Sequence, residues 1–169
     1  MTTRIIACVV VAASASFAPA DDAEIKKAVK LLADNVATIK GDFEALLNLS
    51  HPKVVEQLGG RKKAITAMET ILKEMKDDGI VIKSLTTGEP ANPVRGDKEL
   101  YVLVPTKMEM TTPEGTLTVA GYFLGISADS GKTWRFVDGA GGSAKIRKMF
   151  PDIPEKLVLP ELEYKLKKD

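Results

Sequence analysis

Apolar side chains recur every three or four residues through the first half of this chain and every second residue through most of the second half. The first spacing is that of an α-helix with one buried face, the second that of a half-buried strand. Ile25, Val29, Leu32, Val36 and Ile39 lay out a first helix, with Asp21 and Asp22 suited to its positive amino end and Gly41 to its stop. A shorter helical piece covers 42–49. Pro52 suits the first turn of another segment, 52–58, which Gly59-Gly60 closes. From Arg61 to Asp77 the stripe is Ala64, Ile65, Met68, Ile71, Leu72 and Met75, ending at Asp78-Gly79. Its methionines read as core filler, not as ligands.

The spacing then falls to two. Residues 80–87 predict a first strand and 88–98 a polar loop. Over 99–111, Leu100, Val102, Val104, Met108 and Met110 share one face. Pro113-Glu114-Gly115 turns the chain, and 116–127 returns with Leu117, Val119 and Phe123 on the matching face. A last strand, 133–138, points Trp134 and Phe136 inward. Tyr101, Leu103, Tyr122, Leu124 and Ile126 fall on the other face, so a second cover is expected there, from the tail or from a second subunit. Beyond it, 143–150 predicts a short helix. Pro151, Pro154 and Pro160 predict an extended stretch, and 161–169 a charged end that wraps the domain and frays. Leu157, Leu159, Leu162, Tyr164 and Leu166 nevertheless alternate, which suits strand addition to a sheet edge or a partner. Helices followed by an antiparallel meander predict an α+β fold in which the helices pack on one face of a curved sheet.

Length and composition narrow the picture. A chain of 169 residues fits one core. Arg4, the apolar run 5–13 and Ala18-Pro19-Ala20 match the three regions of a signal peptide, too short to remain as a membrane span. The expected organisation is a signal peptide over 1–20, an α+β domain over 21–142 and a helix with an extended tail over 143–169, in a secreted or periplasmic protein. The single cysteine, Cys8, falls in the leader, so the mature part has no disulfide, no thiolate nucleophile and no cysteine-bound metal. Losing Arg4 from the 24 basic residues leaves 23 against 23 acidic ones. A neutral chain without a basic block lacks the footprint of a nucleic-acid binder, and nothing after residue 20 reads as a membrane span.

Motifs exclude more than they assign. The run from Gly125 to Thr133 approaches a P-loop, but Gly125 is one residue too far from Gly131 and the segment joins two strands instead of a strand and a helix. Ser127-x-Asp129-x-Gly131-x-Thr133-Trp134 resembles the Asp-box hairpin of sialidase-like propellers. A single copy predicts a self-bonded turn, with Asp129 capping amides and Trp134 in the core. With one histidine and no paired-histidine spacing, a histidine-rich metal site is excluded, and no loop has a calcium pattern. No G-x-S-x-G elbow occurs, and Ser143 in Gly139-Ala140-Gly141-Gly142-Ser143 reads as a helix cap. No cofactor is implied.

One resemblance adds to this. A long first helix, a short piece ending in Leu49-Ser50-His51-Pro52, and Leu58-Gly59-Gly60-Arg61-Lys62-Lys63-Ala64-Ile65 opening another helix before a meander resemble the nuclear transport factor 2-like (SnoaL-like) superfamily, over about Asp22 to Gly139. The resemblance implies a cone whose mouth, between helices and sheet, holds a small ligand; some members are isomerases, cyclases or dehydratases and many are non-catalytic modules. His51, at a helix start, and Asp138, ending the last inward strand, are then the acid/base candidates. The structural alternatives are a turn histidine bonding Asp42, Ser50 or backbone, and a turn aspartate before Gly139. Tyr101, Tyr122 and Trp134 are the candidates for contact with an apolar ligand. Arg61, Lys62 and Lys63 suit either an anion or a solvated face. The expected function is a small-ligand-binding or protein-interaction domain, with a small apolar molecule or a second copy of the chain as partner. An isomerase, cyclase or dehydratase is the alternative.

Overall fold

The computed structural model of the chain describes residues 22–37 and 42–168. The expected signal peptide, and Ile39 and Gly41 at the close of the first helix, lie outside these residues. Four helices come first: α1 (Asp22–Ala37), α2 (Phe43–Leu49), α3 (Pro52–Gln57) and α4 (Arg61–Asp77). Asp42 caps α2 by accepting the Ala45 amide at 3.1 Å. Both α3 and α4 end in the same device. Gly59 and Gly79 take positive φ, so that Gly60 N–H reaches Val55 O at 2.9 Å and Ile80 N–H reaches Met75 O at 2.7 Å.

The strands follow as β1 (Val81–Thr87), β2 (Val94–Arg95), β3 (Leu100–Thr112), β4 (Gly115–Ser127) and β5 (Arg135–Asp138). A 3-10 turn (Gly139–Gly141), α5 (Ser143–Met149) and β6 (Glu163–Lys167) complete the chain. All strand pairings are antiparallel, in the order β1-β3-β4-β5, with β2 added to β3 and β6 to β4. β3 and β4 pair along their whole length, from Leu100 against Ser127 to Thr112 against Gly115. The upper part of β4 carries β5 and the lower part β6. The sheet curls into a half-barrel with the helices after the α+β pattern the sequence predicts.

Two cores result. On the inner face Ile25, Val29 and Leu32 of α1 and Leu49 of α2 meet Leu100, Val102, Val104, Trp134 and Phe136. On the outer face Tyr101, Tyr122, Leu124, Ile126 and Val137 are covered by Ile146 of α5 and by Phe150, Ile153, Leu157 and Leu159 beyond it. The second cover expected over that face is therefore the chain's own tail. Arg147 fastens it, donating to Ile153 O at 3.3 Å and to Leu157 O at 2.6 Å. The end of the chain departs from the expected fraying: β6 runs along β4, because the alternating Leu162, Tyr164 and Leu166 follow the inner-face register of Gly121, Val119 and Leu117. β2, set in the predicted loop, is the other addition.

Candidate functional site

α2, α3, the start of α4 and β5 line an open cleft of about 640 Å³, within the volume range of small-molecule sites. Leu47, Pro52 and Val55 supply apolar walls; Ser50, Arg61 and Arg135 supply polar ones. The cleft exists because Ser50 bridges Phe136 and His51 N–H donates to Phe136 O at 2.9 Å, which ties the α2–α3 junction to the free edge of β5. Arg61 is held by the Glu44 carboxylate and by Asn48 Oδ1 at 2.9 Å, joining α4 to α2. It is paired within this cluster, yet it, Lys62 and Lys63 all stay exposed, as a solvated face requires. Among the described residues Arg135 donates one long bond, 3.3 Å, to Trp134 O. The signal for Arg135 in the sequence is a cation flanked by Trp134 and Phe136, the two inward residues of the last strand.

His51 is half-buried at the amino end of α3. Its Nδ1 accepts the Lys53 amide at 3.2 Å, and its ring meets Phe150 edge-on at 4.7 Å. Burial lowers its pKa below the usual histidine value; Glu99 opposes that, while Lys53 and Arg135 reinforce it. Accepting at Nδ1 requires the neutral ring, so burial and capping favour the same protonation state. Because the folded value lies below the unfolded one, stability is complete above the usual histidine range and declines as pH falls through it.

Asp138 accepts the Ala140 amide at 2.8 Å and so caps the 3-10 turn. The residue keeps exposed surface, yet its carboxyl lies in a crevice of about 170 Å³ beside Val54, Leu58, Val137 and Met149. Burial by these neighbours raises its pKa, against the pull of the Ala140 bond. The charges acting on His51 are those of Glu99, Lys53 and Arg135, not that of Asp138. The two acid/base candidates thus occupy separate environments, each with its own capping bond.

Trp134 is buried in the inner core. Tyr101 and Tyr122 are buried in the outer one, on the face away from the helix-lined interior. Tyr101 donates to Glu99 at 2.7 Å, and burial followed by that carboxylate pushes its phenol up. Burial also raises Tyr122, whose hydroxyl has no hydrogen-bond partner among the described residues.

The hairpin from Ser127 to Trp134 is self-bonded, as its pattern predicts. Asp129 accepts from Ser127 Oγ at 2.8 Å, Thr133 N at 2.9 Å and Thr133 Oγ1 at 2.7 Å. Ser127 Oγ accepts the Gly131 amide at 2.8 Å, and Trp134 Nε1 donates to Gly131 O at 3.0 Å. Desolvation opposes ionisation of Asp129, but the bonds from Thr133 and Ser127 outweigh it and hold its pKa below the ordinary aspartate value. A lowered carboxylate contributes stability above its unfolded pKa and loses it as pH falls through the folded one. Asp129→Ala is expected to cost about 1–2 kcal/mol in urea denaturation at neutral pH, and less in acid. Equal midpoints for variant and parent at neutral pH would refute this account of the turn.

No cluster of metal-ligating side chains occurs among the described residues, and none of their helices is long and apolar enough to cross a membrane. No protein-family model matches the chain, and no curated protein matches it in sequence.

Proposed function

We propose that this chain is a secreted or periplasmic binding or interaction module built on a nuclear transport factor 2-like scaffold, and that the α2–α3–α4 cleft receives its ligand. The scaffold half of this reading draws on helices laid over a curled antiparallel half-barrel, together with the Leu49-to-Pro52 and Leu58-to-Ile65 segments. The observation that carries the binding half is the cleft itself, lined by apolar side chains together with two arginines, while the inner core is filled by the protein's own side chains. That combination suits a small, largely apolar molecule with a polar end. Native mass spectrometry of the gently purified chain tests it. A retained small molecule that disappears when Val55→Trp fills the cleft is the expected result; a ligand-free parent, unshifted by a panel of apolar acids, would leave only the protein-interaction half.

One observation favours the second reading, an isomerase, cyclase or dehydratase: the raised pKa of Asp138 in its crevice. The crevice is smaller than usual small-molecule sites, and the carboxyl already has a capping role there. Asp138→Asn keeps the acceptor for Ala140 and removes a penalised charge. The variant is expected to fold within about 0.5 kcal/mol of the parent at neutral pH. Were the chain to turn over a substrate, and Asp138→Asn and His51→Ala to abolish turnover in folded protein, the binding-module reading would fall.

A further inference from the structure

The last strand carries a charge pattern that its own sheet does not use. From 161 to 167 the chain reads Glu161-Leu162-Glu163-Tyr164-Lys165-Leu166-Lys167. About Tyr164 the apolar positions are symmetric and the charges are inverted. Within the sheet, Glu163, Lys165 and Lys167 lie opposite Ala120, Thr118 and Thr116 of β4, none of them charged. None of the three forms an ion pair among the described residues. Glu161 accepts one long bond, 3.3 Å, from Ser143 Oγ. Among the described residues β6 pairs with β4 alone and leaves its other edge open, and all five of its residues are exposed, Tyr164 at 63% and Leu166 at 43%.

We infer that this edge is the seam of a homodimer, in which two copies of β6 pair antiparallel about Tyr164. In that register Glu163 faces Lys165 of the second copy and Glu161 faces its Lys167, each pair occurring twice by the two-fold symmetry. On the other face Leu162 meets Leu166, and the two Tyr164 rings meet at the axis. Directly opposed residues in an antiparallel pair share a face and interact, favourably for opposite charges and unfavourably for like ones. Centring the pair on Glu163 or on Lys165 instead places that residue opposite its own copy, and a parallel in-register pair opposes like charges throughout. An edge guarded against pairing by lysine alone would not reverse sign at its midpoint. Pro160, which has no N–H to donate, closes the ladder just before Glu161. The seam lies on the β6 edge, away from the outer face that the tail covers, and does not depend on what the cleft binds.

Sedimentation of the full chain, as its expression host leaves it, tests the inference with two charge-reversed variants. One carries Lys165→Glu and Lys167→Glu, the other Glu161→Lys and Glu163→Lys, and circular dichroism checks that each is folded. The parent is expected to dimerise at micromolar concentrations and to dissociate as salt is raised. Each variant alone is expected to bind itself roughly tenfold or more weakly, and the two mixed to recover a dimer of one copy each. A parent that stays monomeric at tens of micromolar overturns the seam. So do variants that still dimerise alone, or monomeric variants that fail to associate when mixed.

Discussion

Trp134→Ala is expected to lower stability by about 3–5 kcal/mol, the largest loss from any single side chain in the inner core. The indole is only 2% exposed and belongs to the same cluster as Phe136, Val102 and Val104. The backbone has made room for it. A Cβ added at Gly125 would stand 3.3 Å from Trp134 Cε3, 3.2 Å from Phe136 Cε1 and 2.7 Å from Val102 Cγ1, so these side chains already fill the space above that glycine. Deleting the indole therefore leaves a void that so tightly packed a neighbourhood closes only in part. Trp134 Nε1 also donates to Gly131 O at 3.0 Å, which links the core to the Asp129 hairpin. Trp134→Phe separates the two contributions: it keeps most of the apolar volume and loses the bond, for an expected cost of about 1–2 kcal/mol. Since a domain of this kind is stable by only about 5–15 kcal/mol, Trp134→Ala should show a large drop in urea midpoint. A change below about 1 kcal/mol would mean that the inner core does not hold the fold together.

What the sequence disclosed of this architecture follows the range of the interactions involved. The α4 bounds are legible because a stripe at helical spacing meets a glycine that takes positive φ, and both signals lie within a few residues. The β3–β4 hairpin is legible for the same reason: two alternating runs flank Pro113-Glu114-Gly115. The hairpin at Asp129 is more local still, with its bonds closed inside eight residues. β2 is not legible, and β6 only in part, as an alternation that suits strand addition without naming the neighbour. Val94-Arg95 is too short to show a period, and β6 becomes a strand only through Thr116 to Ala120, more than forty residues earlier in the chain. Its lysines and glutamates read as solvated tail until that neighbour is known.

The candidate site divides along the same line. His51 and Asp138 stand at the element ends where the sequence places them, since proline after one and glycine after the other mark those ends locally. Their separation is a tertiary fact: His51 leans on Phe150, a residue of the tail, and Asp138 faces α3 and α5. The inward and outward faces of Tyr101, Tyr122 and Trp134 follow from alternation alone. Which of the two expected covers, tail or second subunit, lies over the outward pair does not, because prolines break the stretch that carries Phe150, Ile153, Leu157 and Leu159 and no local signal directs it back onto the sheet.

A chain ending at Met149 is accordingly expected not to fold stably, although it retains the four amino-terminal helices, the first five strands and α5. The deletion removes Phe150, Ile153, Leu157 and Leu159, all less than a tenth exposed, and bares Tyr101, Tyr122, Leu124 and Ile126 beneath them. Burying each such side chain stabilises by about 1.5–3 kcal/mol, an upper figure because the unfolded chain already hides part of it. Four together approach the whole stability of a small domain, about 5–15 kcal/mol. Arg147 would also lose its acceptors at Ile153 and Leu157. The truncated protein should aggregate, or persist as a state that binds a hydrophobic dye and melts without cooperativity. A chain ending at Leu162 is the control, since it gives up only β6, whose side chains are exposed, and should stay folded while losing self-association. If the Met149 truncation were instead soluble and melted cooperatively near the parent, the outer core would be an accessory layer and the fold would close at Gly142, where the turn chemistry of the sequence alone places its end.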